Sequence, residues 1–88
     1  ESDMLEQIDK INTDKNIHGV IVQLPLPDHI SVTKVLNRID PSKDVDGFTP
    51  TNVGKLFLGE DTLVSCTPKG IMQMLASTGT DLSGKNVT

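Results

Sequence analysis

Apolar positions follow two different rhythms along this chain. Met4, Leu5, Ile8 and Ile11 recur at intervals of three and four, with Glu1, Asp3, Glu6 and Asp9 between them. That spacing predicts an amphipathic helix over residues 1 to about 12, with acidic residues at the end where the helix dipole favours them. The polar stretch Asn12-Thr13-Asp14-Lys15-Asn16 interrupts it, and an apolar run begins near Ile17. Gly19-Val20-Ile21-Val22 is β-branched and continuous, meets one amide at Gln23, and closes on Pro25 and Pro27. A run of this kind predicts a strand covered on both faces. Open α/β sheets gather their ligands beyond the carboxyl ends of the strands, which is where Gln23 stands.

The helical rhythm then returns. Ser31 is a plausible N-cap, and Val32, Val35, Leu36 and Ile39 fall at i, i+3, i+4 and i+7. This helix should stop near Asp40, because Pro41 disfavours helical geometry in the residue before it. A charged loop follows, Pro41-Ser42-Lys43-Asp44-Val45-Asp46-Gly47-Phe48. Thr49-Pro50 then has the form of a cap with proline in the first turn, predicting a short helix through Val53, Leu56 and Phe57 that ends at Gly59. The same grammar at Thr67-Pro68 predicts a helix over about 68–78, carrying Ile71, Met72, Met74 and Leu75 and closing at Gly79. Helices alternating with a buried strand indicate an α/β fold with parallel strands.

At 88 residues the chain is at most one domain with a modest core. Glu1 falls within a helical pattern, and Gly84-Lys85-Asn86-Val87-Thr88 reads as a loop entering a strand, so a longer parent protein is expected. A net charge of −4 with scattered basic residues argues against a nucleic-acid surface. The single cysteine, Cys66, excludes an intrachain disulfide and fits a reducing compartment. No stretch has the length and apolarity of a membrane-spanning helix, and no signal peptide is apparent.

Several side chains could carry chemistry. Gln23 offers a donor and an acceptor without a titrating charge, though an amide at a strand end also serves to bond loop backbone. Asp46-Gly47 is a common turn pair, and Asp44, two residues earlier, shares its side in an extended segment. The pair invites a metal, but no further series of oxygen ligands follows, so no metal site is assigned. Asp44 reads instead as a structural hydrogen-bonding residue or an ion-pair partner of Lys43 or Arg38. Cys66 lacks a histidine at a recognisable spacing and reads as a small buried or cleft-wall residue; Thr67 reads as the cap of the helix that Pro68 starts. His18 and His29 read as local hydrogen-bonders, and Lys55 and Lys69 as surface lysines able to meet an anionic tail. On these residues alone, a small non-enzymatic α/β module, its Asp-Val-Asp-Gly loop contacting a protein or metal, stands beside an enzyme.

Three segments, in order, decide between the two. Val22-Gln23-Leu24-Pro25-Leu26-Pro27, then Lys43-Asp44-Val45-Asp46-Gly47-Phe48 with Asn52 and Gly54, then Cys66-Thr67-Pro68-Lys69-Gly70 resemble the bifunctional methylenetetrahydrofolate dehydrogenase/cyclohydrolase family. The similarity extends over essentially the whole chain. It departs at Ser65, where members commonly carry proline, and at Thr49, where they often carry histidine.

The resemblance implies part of a three-layer α/β catalytic domain over residues 1–83, including a linking helix, with 84–88 starting a Rossmann-type NAD(P)-binding domain. It implies oxidation of 5,10-methylenetetrahydrofolate and hydrolysis of the product to 10-formyltetrahydrofolate, with NADP or NAD as cofactor. Gln23 matches the catalytic-site glutamine, Asp46 the aspartate that grips the pterin, and Leu24 and Pro25 flank them as substrate contacts. Cys66, Thr67 and Pro68 would form the cleft wall or stand on the cofactor side. The family's Tyr-x-x-x-Lys motif would precede Glu1, and its Gly-Arg-Ser cofactor loop would follow Thr88; accordingly the sequence contains no tyrosine. A homodimeric, intracellular parent, cytoplasmic or mitochondrial, is implied, with tetrahydrofolate derivatives rather than nucleic acid or membrane as partners.

Overall fold

Four helices account for the regular structure in a computed structural model that describes residues 1–88: α1 (Ser2–Thr13), α2 (Val32–Arg38), α3 (Pro50–Leu58) and α4 (Cys66–Ser77). Three begin and end within about two residues of where periodicity and, for α2 and α3, capping signals place them. The Ser31 hydroxyl accepts the Lys34 amide at the start of α2, and the Thr49 hydroxyl accepts the Asn52 amide at the start of α3. Gly59 ends α3 in the left-handed region, φ 76°, where its amide donates to the Leu56 carbonyl and the Glu60 amide to that of Lys55.

The helix α4 departs from expectation at its beginning. Ser65 occupies the cap position without a side-chain hydrogen bond, and Thr67 lies inside the first turn rather than capping it. Proline fits there because the first-turn amides have no intrahelical acceptor, so a Thr-Pro pair locates a helix start only to within a turn.

The helices α1 and α2 pack together around Ile8, Val35 and Ile39, the buried apolar core. Polar contacts pin the pair at both ends. At one, the Glu1 carboxylate accepts the Ser31 amide at 2.9 Å and the Lys34 ammonium at 3.0 Å. At the other, Arg38 donates in bidentate fashion to Asp9, one bond at 2.6 Å, and the Asn12 amide bridges the Arg38 carbonyl and the Asp40 amide. These carboxylates titrate below their ordinary range, Glu1 through the Ser31 amide and then Lys34, and Asp9 through the Arg38 guanidinium.

The apolar run of residues 17–24 corrects a second expectation. Its backbone pairing is one parallel bridge between Val20 and Asp44, supported by the Val20 amide donating to the Lys43 carbonyl at 2.8 Å. A ladder needs a second extended strand, and the segment against this run, Pro41–Asp46, is largely turn. Nor are both faces covered. Val20 and Val22 pack on the core while Ile21 is 59% exposed, the period-two alternation of a strand with one covered face. The chain therefore contains no β-sheet of its own, and the three-layer arrangement is not formed within it.

Candidate functional site

The turn Lys43–Gly47 touches the backbone that leads into each of the other two motif segments. Its first attachment is to the apolar run. Val20 bridges Asp44, and Gly19 lies so close to Val45 that a Cβ added there would come within 2.6 Å of the Val45 Cγ1. Its second is to α1, because the Lys43 ammonium donates to the carbonyls of Ile11 at 2.6 Å and Asp14 at 2.8 Å, capping that helix end with a cation. Lys43 is thus engaged with α1 and Arg38 with Asp9, so neither pairs with Asp44.

Asp44 makes the third attachment, to α3. It is 2% exposed, and its Oδ2 accepts the Thr49 amide at 2.8 Å and the Asn52 side-chain amide at 3.0 Å. Burial pushes this carboxyl upward, but the Thr49 and Asn52 hydrogen bonds outweigh it and hold the group below the ordinary carboxylate value. Asn52, also buried, donates to the Pro41 carbonyl at 2.9 Å and accepts the Thr62 hydroxyl at 2.8 Å. No pattern in the sequence signals Thr62, since its partner lies ten residues away in another segment.

The fourth attachment is steric. Gly47 has φ 69°, and a Cβ there would meet the Leu63 carbonyl oxygen at 2.6 Å and the Val64 Cα at 3.2 Å. The turn therefore rests directly on the backbone that leads into Cys66-Thr67-Pro68.

Asp46 lies between these anchored residues. It is half-buried, and its carboxylate takes part in no hydrogen bond or ion pair within the chain. Gln23 is exposed and donates its Nε2 to the Leu24 carbonyl at 3.2 Å, leaving the side-chain oxygen open. Leu24 is half-buried, Pro25 is exposed, and the peptide bond between them is cis. Gln23 and Asp46 both follow the bridged pair, by three and two residues, and no hydrogen bond joins them.

Cys66, Thr67 and Pro68 are exposed on the first turn of α4, which corrects the expectation of a capping Thr67 and, of the two readings of Cys66, overturns the buried one. Pro68 borders a cavity of about 310 Å³ with Leu56, Val64 and Met72. A second cavity, of about 490 Å³, lies beside Asn52, Thr62 and Lys55. Neither is lined by Gln23 or Asp46. No three of its His, Cys, Asp and Glu side chains group as a metal site, and no helix is long and apolar enough to cross a membrane.

Comparison with known proteins adds the family. Residues 1–46 match the model of the tetrahydrofolate dehydrogenase/cyclohydrolase catalytic domain, which is more than half of the chain. The chain belongs to this family. Within the tetrahydrofolate dehydrogenase/cyclohydrolases, it is 59% identical over 87 residues to the bifunctional protein FolD of Bacillus subtilis, covering 99% of this chain and 31% of that protein. It is 54% identical over 88 residues to the FolD of Syntrophobacter fumaroxidans, covering 100% of this chain and 30% of the relative. Among solved structures, the bifunctional FolD methylenetetrahydrofolate dehydrogenase/cyclohydrolase of Campylobacter jejuni superposes with a TM-score of 0.88 at 48% identity, over 92% of this chain and 29% of that one. A 5,10-methylenetetrahydrofolate dehydrogenase from the silkworm Bombyx mori gives a TM-score of 0.87 at 37% identity, over 92% and 28%. The chain spans less than a third of the length of these relatives. Its conformation is that of a segment of an α/β catalytic domain of this family.

Proposed function

We propose that these residues are the folate-gripping portion of an enzyme that oxidises 5,10-methylenetetrahydrofolate to the 5,10-methenyl form and hydrolyses that product to 10-formyltetrahydrofolate. The observation that carries this reading is the Asp46 carboxylate, unpartnered within the chain and presented on a turn anchored on both sides. A reduced pterin offers an exocyclic amino group and a neighbouring ring N–H, two parallel donors that suit one carboxylate. Gln23, neutral and with its oxygen open, suits the reacting end, orienting a lysine ammonium or a water without adding charge.

A nicotinamide cofactor, NADP or NAD, supplies the hydride acceptor when bound. Cys66, Thr67 and Pro68 fit a wall on its side, since they are exposed on one helical turn and the Thr67 hydroxyl has no partner in the chain. No glycine-rich phosphate loop occurs in these 88 residues, so a phosphate cradle would come from elsewhere. In the hydrolytic step water adds to the methenyl carbon, one carbon–nitrogen bond of the ring opens, and a proton is released.

On the same reading, residues 1–83 complete a three-layer α/β domain with parallel strands contributed by other parts of the parent. The helix α4 then links that domain to a dinucleotide-binding domain entered at 84–88, and the parent is homodimeric and intracellular.

The test exchanges the matching 87-residue stretch of the B. subtilis relative for these residues. The chimera should reduce a nicotinamide cofactor with methylenetetrahydrofolate. Asp46→Asn in it should raise the KM for the folate by about tenfold or more, the worth of a hydrogen bond to a charged group. An unchanged KM would remove Asp46 from the pterin site.

A further inference from the structure

We infer that Thr62 and Asn52 are positioning residues for the pterin aspartate, acting through Asp44. This rests on the reading of Asp46 given above and names the groups on which that reading depends. Asp46 has no side-chain tether in the chain, so its direction is set by the backbone on either side. On the N-terminal side stands Asp44, whose carbonyl accepts the Gly47 amide at 3.2 Å across the turn. The Asp44 carboxylate in turn is fixed by the Thr49 amide and the Asn52 side chain.

Asn52 has every side-chain hydrogen-bonding atom in use and is 4% exposed. Its Nδ2 donates to the Asp44 Oδ2 and to the Pro41 carbonyl, so one amide holds two points of the loop that carries Asp46. Its Oδ1 accepts the Thr62 hydroxyl. Thr62 immediately precedes the Leu63 carbonyl on which Gly47 rests. The hydroxyl therefore ties α3 to the same strip of backbone that supports the far side of the turn, closing a ring: Thr62 to Asn52, Asn52 to Asp44, Asp44 to Gly47, Gly47 to Leu63. Asp46 is the residue inside this ring whose carboxylate remains open.

Removing the Thr62 hydroxyl would leave a buried amide oxygen without a donor, which costs more than the bond itself and is relieved by movement of the amide. That movement shifts Asp44 and, through it, the turn. A misdirected Asp46 weakens folate binding while leaving the cofactor side untouched.

The experiment uses the FolD chimera and measures folding, by circular dichroism and thermal unfolding, together with KM for both substrates and kcat. Thr62→Val should raise the KM for methylenetetrahydrofolate by about fivefold, equivalent to ~1 kcal/mol, and leave the KM for the nicotinamide cofactor and kcat unchanged. Thr62→Ser, which keeps the hydroxyl, should restore the folate KM. The pair Thr62→Val and Asp46→Asn should be non-additive, since once the carboxylate is gone its direction no longer matters. Should Thr62→Val not accumulate folded, Thr62→Ala carries the same comparison. An unchanged folate KM, equal rises in both KM values, or additive effects with Asp46→Asn would overturn the positioning role. If Asp46→Asn alone leaves the folate KM unchanged, the pterin reading falls and this inference with it. If Asp46→Asn acts and the Thr62 variants do not, only the positioning role falls.

Discussion

One oxygen of Asp44 accepts from both the Thr49 amide and the Asn52 side chain, while the carboxylate of Asp46, two residues on, accepts from nothing in the chain. Identical residue types thus receive opposite roles from their surroundings, a distinction that spacing alone could not draw. Because the folded-state pKa of Asp44 lies below its ordinary value of about 3.9, its stabilisation is complete above that value and is lost as pH falls through the lowered one. A carbon-13 titration of the Asp44 carboxyl in the chimera should therefore show a midpoint below the ordinary carboxylate range. Asp44→Asn, which keeps one oxygen acceptor but removes the charge, should lower stability at neutral pH by about 1–2 kcal/mol and reduce the loss of stability on acidification. A thermal-unfolding series from neutral pH into acid, run on both proteins, checks the two statements together.

Among the elements, the helices were the legible part. Periodicity and the caps at Ser31 and Thr49 located α2 and α3, since those signals are local and were satisfied locally. The start of α4 was misplaced because Pro68 is compatible with more than one position in a first turn. The run ending at Gln23 was expected as a strand, but a strand is defined by its neighbours, and here one bridge to Asp44 is the pairing available. At the candidate site, the motif segments single out Gln23 and Asp46 as the residues to test. Asn52 belongs to the second motif segment, but its bonds and its partner Thr62 are not legible there, because asparagine and threonine leave no periodic trace and their partners are distant in sequence. The turn and the segment it rests on make a further prediction at this scale. Gly47→Ala should destabilise the chimera more than Gly59→Ala, by at least about 1 kcal/mol. Both glycines have positive φ, but only at Gly47 would a Cβ also meet backbone, and thermal unfolding of the two variants measures the difference.

Over the whole molecule, the radius of gyration is 16.0 Å, against about 12 Å for a globular domain of this length. Only six of the 88 residues are buried, three of them apolar. Meanwhile Leu56, Phe57 and Leu58 on α3, and Ile71, Met72 and Met74 on α4, stand open, Phe57 at 90%. Apolar surface on this scale is what a cooperative core ordinarily covers. The isolated 88 residues are accordingly expected to bind the dye ANS and to unfold over a broad temperature range. The same residues within the chimera should bind little dye and unfold sharply. Comparable dye binding by the two proteins would show that these faces stay open in the longer protein as well.

The two tight glycines also differ in whether the genome can repair them. At Gly19 the obstruction to a side chain is the Val45 Cγ1, which a second point mutation can delete, so Gly19→Ala should be rescued by Val45→Ala in a selection for folate-dependent growth. At Gly47 the obstructing atoms are the Leu63 oxygen and the Val64 Cα, which every amino acid possesses. No replacement at 63 or 64 removes them, and a suppressor screen of Gly47→Ala should return true revertants at position 47 and no second-site change at those two codons.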